Sequence, residues 1–161
     1  MGVIRVSKSA VIPAPAPVIY SLIADYRQGH PRILPRRYFG RLEVEQGGIG
    51  AGTIIRYEIK LFGSERKVRA EITEPRPGTE LVETDFATGA RTTFTVAPGA
   101  RAGESEVTIQ TEWEARGLRG WIEELMAPPL LRRIYVEELA QLGAVAAKDA
   151  SASKGEPRPG R

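Results

Sequence analysis

The chain contains no cysteine in its 161 residues. Disulfide frameworks, thiolate metal sites, cysteine nucleophiles and thiol redox chemistry are therefore excluded. Histidine occurs once, as His30, which rules out any site built from two imidazoles, such as a zinc-protease helix. The carboxylates are scattered without a recognisable ligand spacing, so neither a metal nor a cofactor is expected. No apolar run approaches the ~18 residues needed to cross a bilayer. The start, Met1-Gly2-Val3-Ile4-Arg5-Val6, carries the glycine of a myristoylation signal but has Val6 where serine or threonine is required. Residues 9–24 are fairly apolar, yet Pro13, Pro15 and Pro17 interrupt them where a signal peptide needs continuity. The expected address is cytoplasmic.

What is present fits one globular domain with a real core: 42% hydrophobic and 27% charged residues. The net charge of +3 and a pI near 9.4 invite a nucleic-acid reading. Two of those three charges belong to the tail 148–161, where Lys148, Lys154, Arg158 and Arg161 outnumber Asp149 and Glu156. The body is nearly neutral and carries no recognised nucleic-acid module, which argues against that partner.

Hydrophobic periodicity divides the chain into three parts. Val3 to Lys8 alternates weakly and reads as a strand. After the rigid Ile12-Pro-Ala-Pro-Ala-Pro17 stretch, Val18, Ile19, Leu22, Ile23 and Tyr26 recur at helical spacing, predicting a helix over 16–26 that Gly29 stops. Pro31 to Leu34 adds one further helical turn. From Arg41 to Trp113 the period becomes two, with strands expected at 41–46, 53–61, 66–74, 80–86, 91–97 and 105–114. The separators between them are too short for parallel crossovers, so the sheet must be an antiparallel meander. A long helix follows Gly117, starting with Leu118, Trp121, Ile122 and Leu125, and Pro128-Pro129 is expected to bend or interrupt it. It resumes with Leu131, Ile134, Tyr135, Leu139, Leu142 and Ala146, an apolar stripe suited to lie on a sheet. The tail from Lys148 has too little to bury and is expected to be disordered, leaving one domain over 1–147.

Strand, short helix pair, meander and long terminal helix resemble the helix-grip fold of the START-like superfamily, which includes polyketide cyclases and dehydrases, pollen allergens and lipid-transfer domains. Four segments carry the resemblance: Ala14-Pro-Ala-Pro-Val-Ile-Tyr-Ser-Leu-Ile-Ala-Asp-Tyr26, Gly50-Ala-Gly-Thr-Ile-Ile-Arg-Tyr57, Glu74-Pro-Arg-Pro-Gly-Thr-Glu-Leu81 and Thr92-Thr-Phe-Thr-Val-Ala-Pro98. Asp25-Tyr-Arg-Gln-Gly-His-Pro-Arg-Ile-Leu-Pro35 is similar to a bacterial, cyclase-like subgroup. The resemblance implies an α+β fold in which a strongly bent antiparallel sheet of about seven strands wraps a C-terminal helix. It also implies a cavity between the two that takes an apolar or amphipathic ligand, with only some members catalysing a reaction. One fold hosts many functions, so the site has to be argued from its residues.

The glycine stretch Gly47 to Gly52 fails as a phosphate loop, because Thr53 stands where a dinucleotide motif needs glycine and no helix follows. His30 is the natural general acid or base, the alternative being a turn-capping or solvated ring. Arg27, Arg32, Arg36, Arg37 and Arg41 could gather an anionic group or form a solvated face. A two-residue turn at Thr88-Gly89 would set Glu83 opposite Phe94 and Asp85 opposite Thr92. Both carboxylates then share the face of Phe94, whereas the opposite face assignment leaves them in water. Turned inward, they would have at least one raised pKa, as an enolisation base or a protonated donor needs.

The candidate ligand-contacting residues are Tyr26 on the first helix, Ile55, Tyr57, Ile59, Val68 and Ala70 on the middle strands, and Phe94, Ile109 and Trp113 on the later ones. Leu131, Ile134 and Tyr135 on the last helix complete the set, and core filling is the alternative role for each aromatic. The leading expectation is a binding protein for a small lipid- or polyketide-like molecule. The first alternative is a cyclase or dehydrase using His30, Glu83 or Asp85 as acid or base. The second is a protein-interaction module working through the arginine segment and the basic tail.

Overall fold

A computed structural model describes residues 2–61, 63–115 and 117–155, with only the backbone described over 117–126. Strand β1 (Val3–Ile12) leads into helix α1 (Ala16–Ala24) and a single turn, α2 (His30–Ile33). Strands β2 (Glu43–Gln46), β3 (Ile54–Leu61), β4 (Ser64–Arg76), β5 (Glu80–Asp85), β6 (Arg91–Pro98) and β7 (Ser105–Glu114) follow, and α3 (Gly117–Lys154) ends the chain. The seven strands form one antiparallel sheet in the order β1-β7-β6-β5-β4-β3-β2. The meander is the one expected, with β1 returning to pair with β7. This is the helix-grip fold.

One face of each strand supplies the core, as period-two patterning requires. Ile4 and Val6 on β1, Val107 and Ile109 on β7, Phe94 and Val96 on β6, and Ile72 on β4 are all buried. Helix α3 lies along β1 and against α1 and α2, burying Ile134, Tyr135, Leu139, Leu142 and Ala146. No helix among the described residues is long and apolar enough to cross a membrane.

Three expectations need correction. Pro128 and Pro129 do not interrupt α3, which continues through both. Each proline removes one amide and opposes one carbonyl, a local loss that the rest of the hydrogen-bond ladder outlasts. The helix also runs past Lys148 to Lys154, beyond the expected boundary at 147. Asp149 accepts two hydrogen bonds from the Arg32 guanidinium, at 2.9 and 2.7 Å, anchoring that last stretch. Residues 156–161, together with the side chains of Leu118, Trp121, Ile122 and Leu125, lie outside the described residues. Finally, the β5–β6 hairpin is wider than a two-residue turn. Asp85 pairs with Ala90 through the Asp85 amide and the Ala90 carbonyl at 2.9 Å, and Glu83 stands opposite Thr92. The register differs from expectation by two residues. An even shift preserves the faces, so Glu83 and Asp85 still point the same way as Phe94.

Candidate functional site

The turn from α1 to α2 is built by local polar chemistry. Asp25 ends α1, and its Oδ1 accepts the amides of Arg27 and Gln28, both at 3.0 Å. The His30 amide then donates to the Asp25 carbonyl at 2.7 Å. Gly29 is needed for close approach, since a Cβ there would sit 2.5 Å from the Leu22 carbonyl oxygen. This compact turn stacks the Tyr26 and His30 rings with centroids 4.5 Å apart. Phe94 meets the His30 ring edge-on at 5.5 Å.

His30 is buried, and its Nδ1 lies 2.7 Å from the Ile23 carbonyl oxygen. A carbonyl oxygen can only accept, so Nδ1 carries the hydrogen and Nε2 is the free position. Nε2 stands 3.5 Å from Glu83 Oε1. Tyr26 donates its hydroxyl to the same carboxylate oxygen at 2.6 Å. Burial first, and the Glu83 charge second, push the Tyr26 hydroxyl well above its ordinary range, so it keeps its proton.

Between the sheet and α3 lies a cavity of about 440 Å³. His30, Glu83 and Asp85 all line it, as do Ile55, Tyr57, Ile59, Val68, Ala70, Phe94, Trp113, Leu131, Ile134 and Tyr135. Tyr26 and Ile109 are buried but do not line it: Tyr26 lies behind Glu83, and Ile109 is packed into the core. Leu142 and Ile72 are likewise core residues. Asp85 faces the cavity with its carboxylate already engaged. Oδ1 accepts the Ala87 amide at 3.0 Å, and Oδ2 accepts the Thr88 hydroxyl at 2.7 Å and an Arg66 guanidinium hydrogen. It organises the hairpin, leaving Glu83 as the freer of the two acids.

The pattern reading missed several lining groups. Thr92 and Thr111 share a hydroxyl hydrogen bond at 2.8 Å, and Thr111 also bonds the Tyr135 hydroxyl. Leu34, Phe39 and Leu42 add apolar wall from the segment leading out of α2 into β2. The most consequential omission is Glu138, which is 3% exposed, lines the cavity, and has an Oε1 with no hydrogen-bond partner among the described residues. Its signal was in the sequence, because Glu138 stands four residues from both Ile134 and Leu142 within the buried stripe. Desolvation, then repulsion from Glu83, raises its carboxyl well above the ordinary range. The carboxyl that burial pushes up is thus that of Glu138, on α3.

The arginine segment is partly committed to the fold. Arg32 pairs with Asp149, and Arg37 with Glu137, both on α3. Arg27 donates to the Gly47 carbonyl. The glycine loop is held against the end of α1, where the Tyr26 amide donates to Gly48 and the Gly50 amide to Ala24. It serves as a structural brace rather than a phosphate cradle.

The architecture, a seven-stranded sheet gripping one long helix, is shared with solved START-like proteins. The chain belongs to the polyketide cyclase/dehydrase and lipid transport family, whose profile matches residues 3–147. It is similar to the KanY protein at 30% identity and TM-score 0.78, covering 91% of this chain and 99% of that one. The fold is also that of the Zhui aromatase/cyclase from Streptomyces sp. R1128 (17% identity, TM-score 0.75, 96% and 100% covered). A START superfamily protein from Mycobacterium smegmatis shares it too, at 14% identity and TM-score 0.62, with 89% and 95% covered. No curated protein matches the sequence.

Proposed function

We propose that this protein binds a small, largely apolar molecule in the cavity between the sheet and α3. The observation that carries the reading is a space of about 440 Å³ whose walls include Ile55, Ile59, Val68, Phe94, Leu131 and Ile134, with polar groups such as His30, Glu83 and Glu138 set among them. Ligand sites commonly span about 300–1,000 Å³ and have this mostly apolar lining. Family membership supports the same reading. To test it, the protein is purified natively, denatured, and its small-molecule content identified by mass spectrometry beside an Ala70→Trp variant. Ala70 lines the cavity, so an indole there occupies ligand space. A stoichiometric compound in the wild type that the variant lacks supports the reading. Equal content in both overturns it.

A second reading is an enzyme of cyclase or dehydrase type. The observation favouring it is the meeting of His30 Nε2 and Glu83 Oε1 at 3.5 Å on the cavity wall. A carboxylate and an imidazole so placed can take a proton from carbon next to a ketone and return it to oxygen. Turnover of an activated polyketone that survives in both Glu83→Gln and His30→Gln would remove these residues from the chemistry.

A further inference from the structure

The charges around the cavity are unequal in sign. Among the described residues, Glu83, Asp85, Glu114 and Glu138 line it against a single guanidinium, Arg66, and the His30 imidazole. Arg66 is bound to Asp85, Glu83 holds the Tyr26 hydroxyl beside His30, and Glu114 is exposed. Glu138 alone is buried, faces the cavity, and keeps an oxygen with no partner among the described residues. The charge that acts on it is that of Glu83 on β5; the hydroxyls of Tyr57 on β3, Tyr26 in the α1–α2 turn and Tyr135 on its own helix keep their protons through burial and add none. A buried polar atom is rarely left without a partner, and a ligand in the cavity can supply one.

We infer that the cavity takes a cationic amphiphile, an apolar or aromatic body ending in an ammonium group that sits against Glu138. This rests on the ligand-binding reading above and names the ligand's charge. A neutral carbonyl would accept a hydrogen bond from the Glu138 acid but would gain nothing from the surrounding negative field. A carboxylate or phosphate would be repelled by that field. An ammonium is attracted by Glu138 and Glu83 together, and the aromatic walls favour it further. Burial and the Glu83 charge favour the protonated form of Glu138 where no counter-charge stands beside it. The arriving ammonium supplies one, so the proton leaves to solvent and a charge-assisted hydrogen bond forms.

The test is calorimetric titration of the full chain at neutral pH with naphthylethylamine, naphthylethanol and naphthylacetate, three ligands of one shape and different charge. The amine is expected to bind about tenfold or more tighter than the alcohol, with the carboxylate weakest. Repeating the amine titration in buffers of different ionisation enthalpy should show about one proton released per amine bound. Glu138→Gln should lower the amine to near the alcohol's affinity and abolish proton release. Alcohol or carboxylate binding as tightly as the amine would overturn the cationic assignment while leaving the cavity reading in place. Failure of all three to bind would overturn both. The comparison of charges in the wild type needs no variant to fold.

Discussion

Tyr26 and Glu83, 57 positions apart in the chain, meet through a buried hydroxyl–carboxylate hydrogen bond of 2.6 Å. The contact ties the α1–α2 turn to the middle of the sheet. It also occupies the carboxylate oxygen that His30 Nε2 approaches. Removing the hydroxyl leaves a buried acceptor short of its donor, which costs about 1–3 kcal/mol. Tyr26→Phe should lower the unfolding free energy by that amount in chemical denaturation. Glu83→Gln, whose amide oxygen still accepts, should cost less. Equal losses would show that the carboxylate charge, rather than the hydrogen bond, stabilises the pair.

Gly29 is the second control on this corner. A methyl group at its Cα would lie 2.5 Å from backbone oxygen, which cannot swing aside as a side chain can. Gly29→Ala should therefore destabilise by about 1–3 kcal/mol, the usual cost of overpacking. The displaced turn should also lengthen the bond from His30 Nδ1 to the Ile23 carbonyl, visible as a shift of the imidazole N–H resonance. An unchanged resonance would mean the turn absorbs the methyl elsewhere.

The hydroxyl chain Thr92–Thr111–Tyr135 predicts an asymmetry between single and double variants. Thr111→Val keeps the shape but leaves the buried Tyr135 hydroxyl without its partner, at a cost of about 1–3 kcal/mol. Adding Tyr135→Phe removes the orphaned group. The double variant should be more stable than Thr111→Val alone. Strict additivity of the two losses would show that the hydroxyls are not coupled.

Glu138 makes stability depend on pH with a definite sign. Burial raises its carboxyl well above the ordinary range in the folded protein, while the unfolded chain titrates near about 4.3. The folded state therefore holds a proton that the unfolded state releases. The stability is full below the unfolded value and falls as pH rises towards the folded one. Glu138→Gln removes this dependence. Its stability relative to wild type should increase from pH 4 through pH 7, followed by urea unfolding at several pH values. A constant difference would show that the acid is not buried in solution.

Much of the architecture was legible because it is written in periodicity. Alternation at Ile55, Tyr57, Ile59 and Leu61 assigned a strand and its inner face, and all four residues line the cavity. Short glycine- and proline-rich separators left no room for parallel crossovers, so the meander followed. The hairpin at Phe86 to Gly89 was misjudged because Asp85 binds the Ala87 amide and the Thr88 hydroxyl, favouring a wider turn than the Thr-Gly pair suggests. The faces survived only because the shift was even. Continuation of α3 beyond Lys148 was hidden from composition, since its anchor, Arg32, lies 117 residues away.

The site divides in the same manner. Local sequence determined which residues alternate, where α1 and α3 begin, and that a single histidine was available. Tertiary structure alone decided that His30 Nε2 faces Glu83, that Arg32 and Arg37 are spent on α3, and that Asp85 organises a turn. It also decided that Glu138 is the buried acid with an oxygen that has no partner among the described residues. The reason is physical. Periodicity reports which side of an element is dry, but a charge's state depends on what crosses from other elements within a few ångströms, and no local pattern encodes that distance.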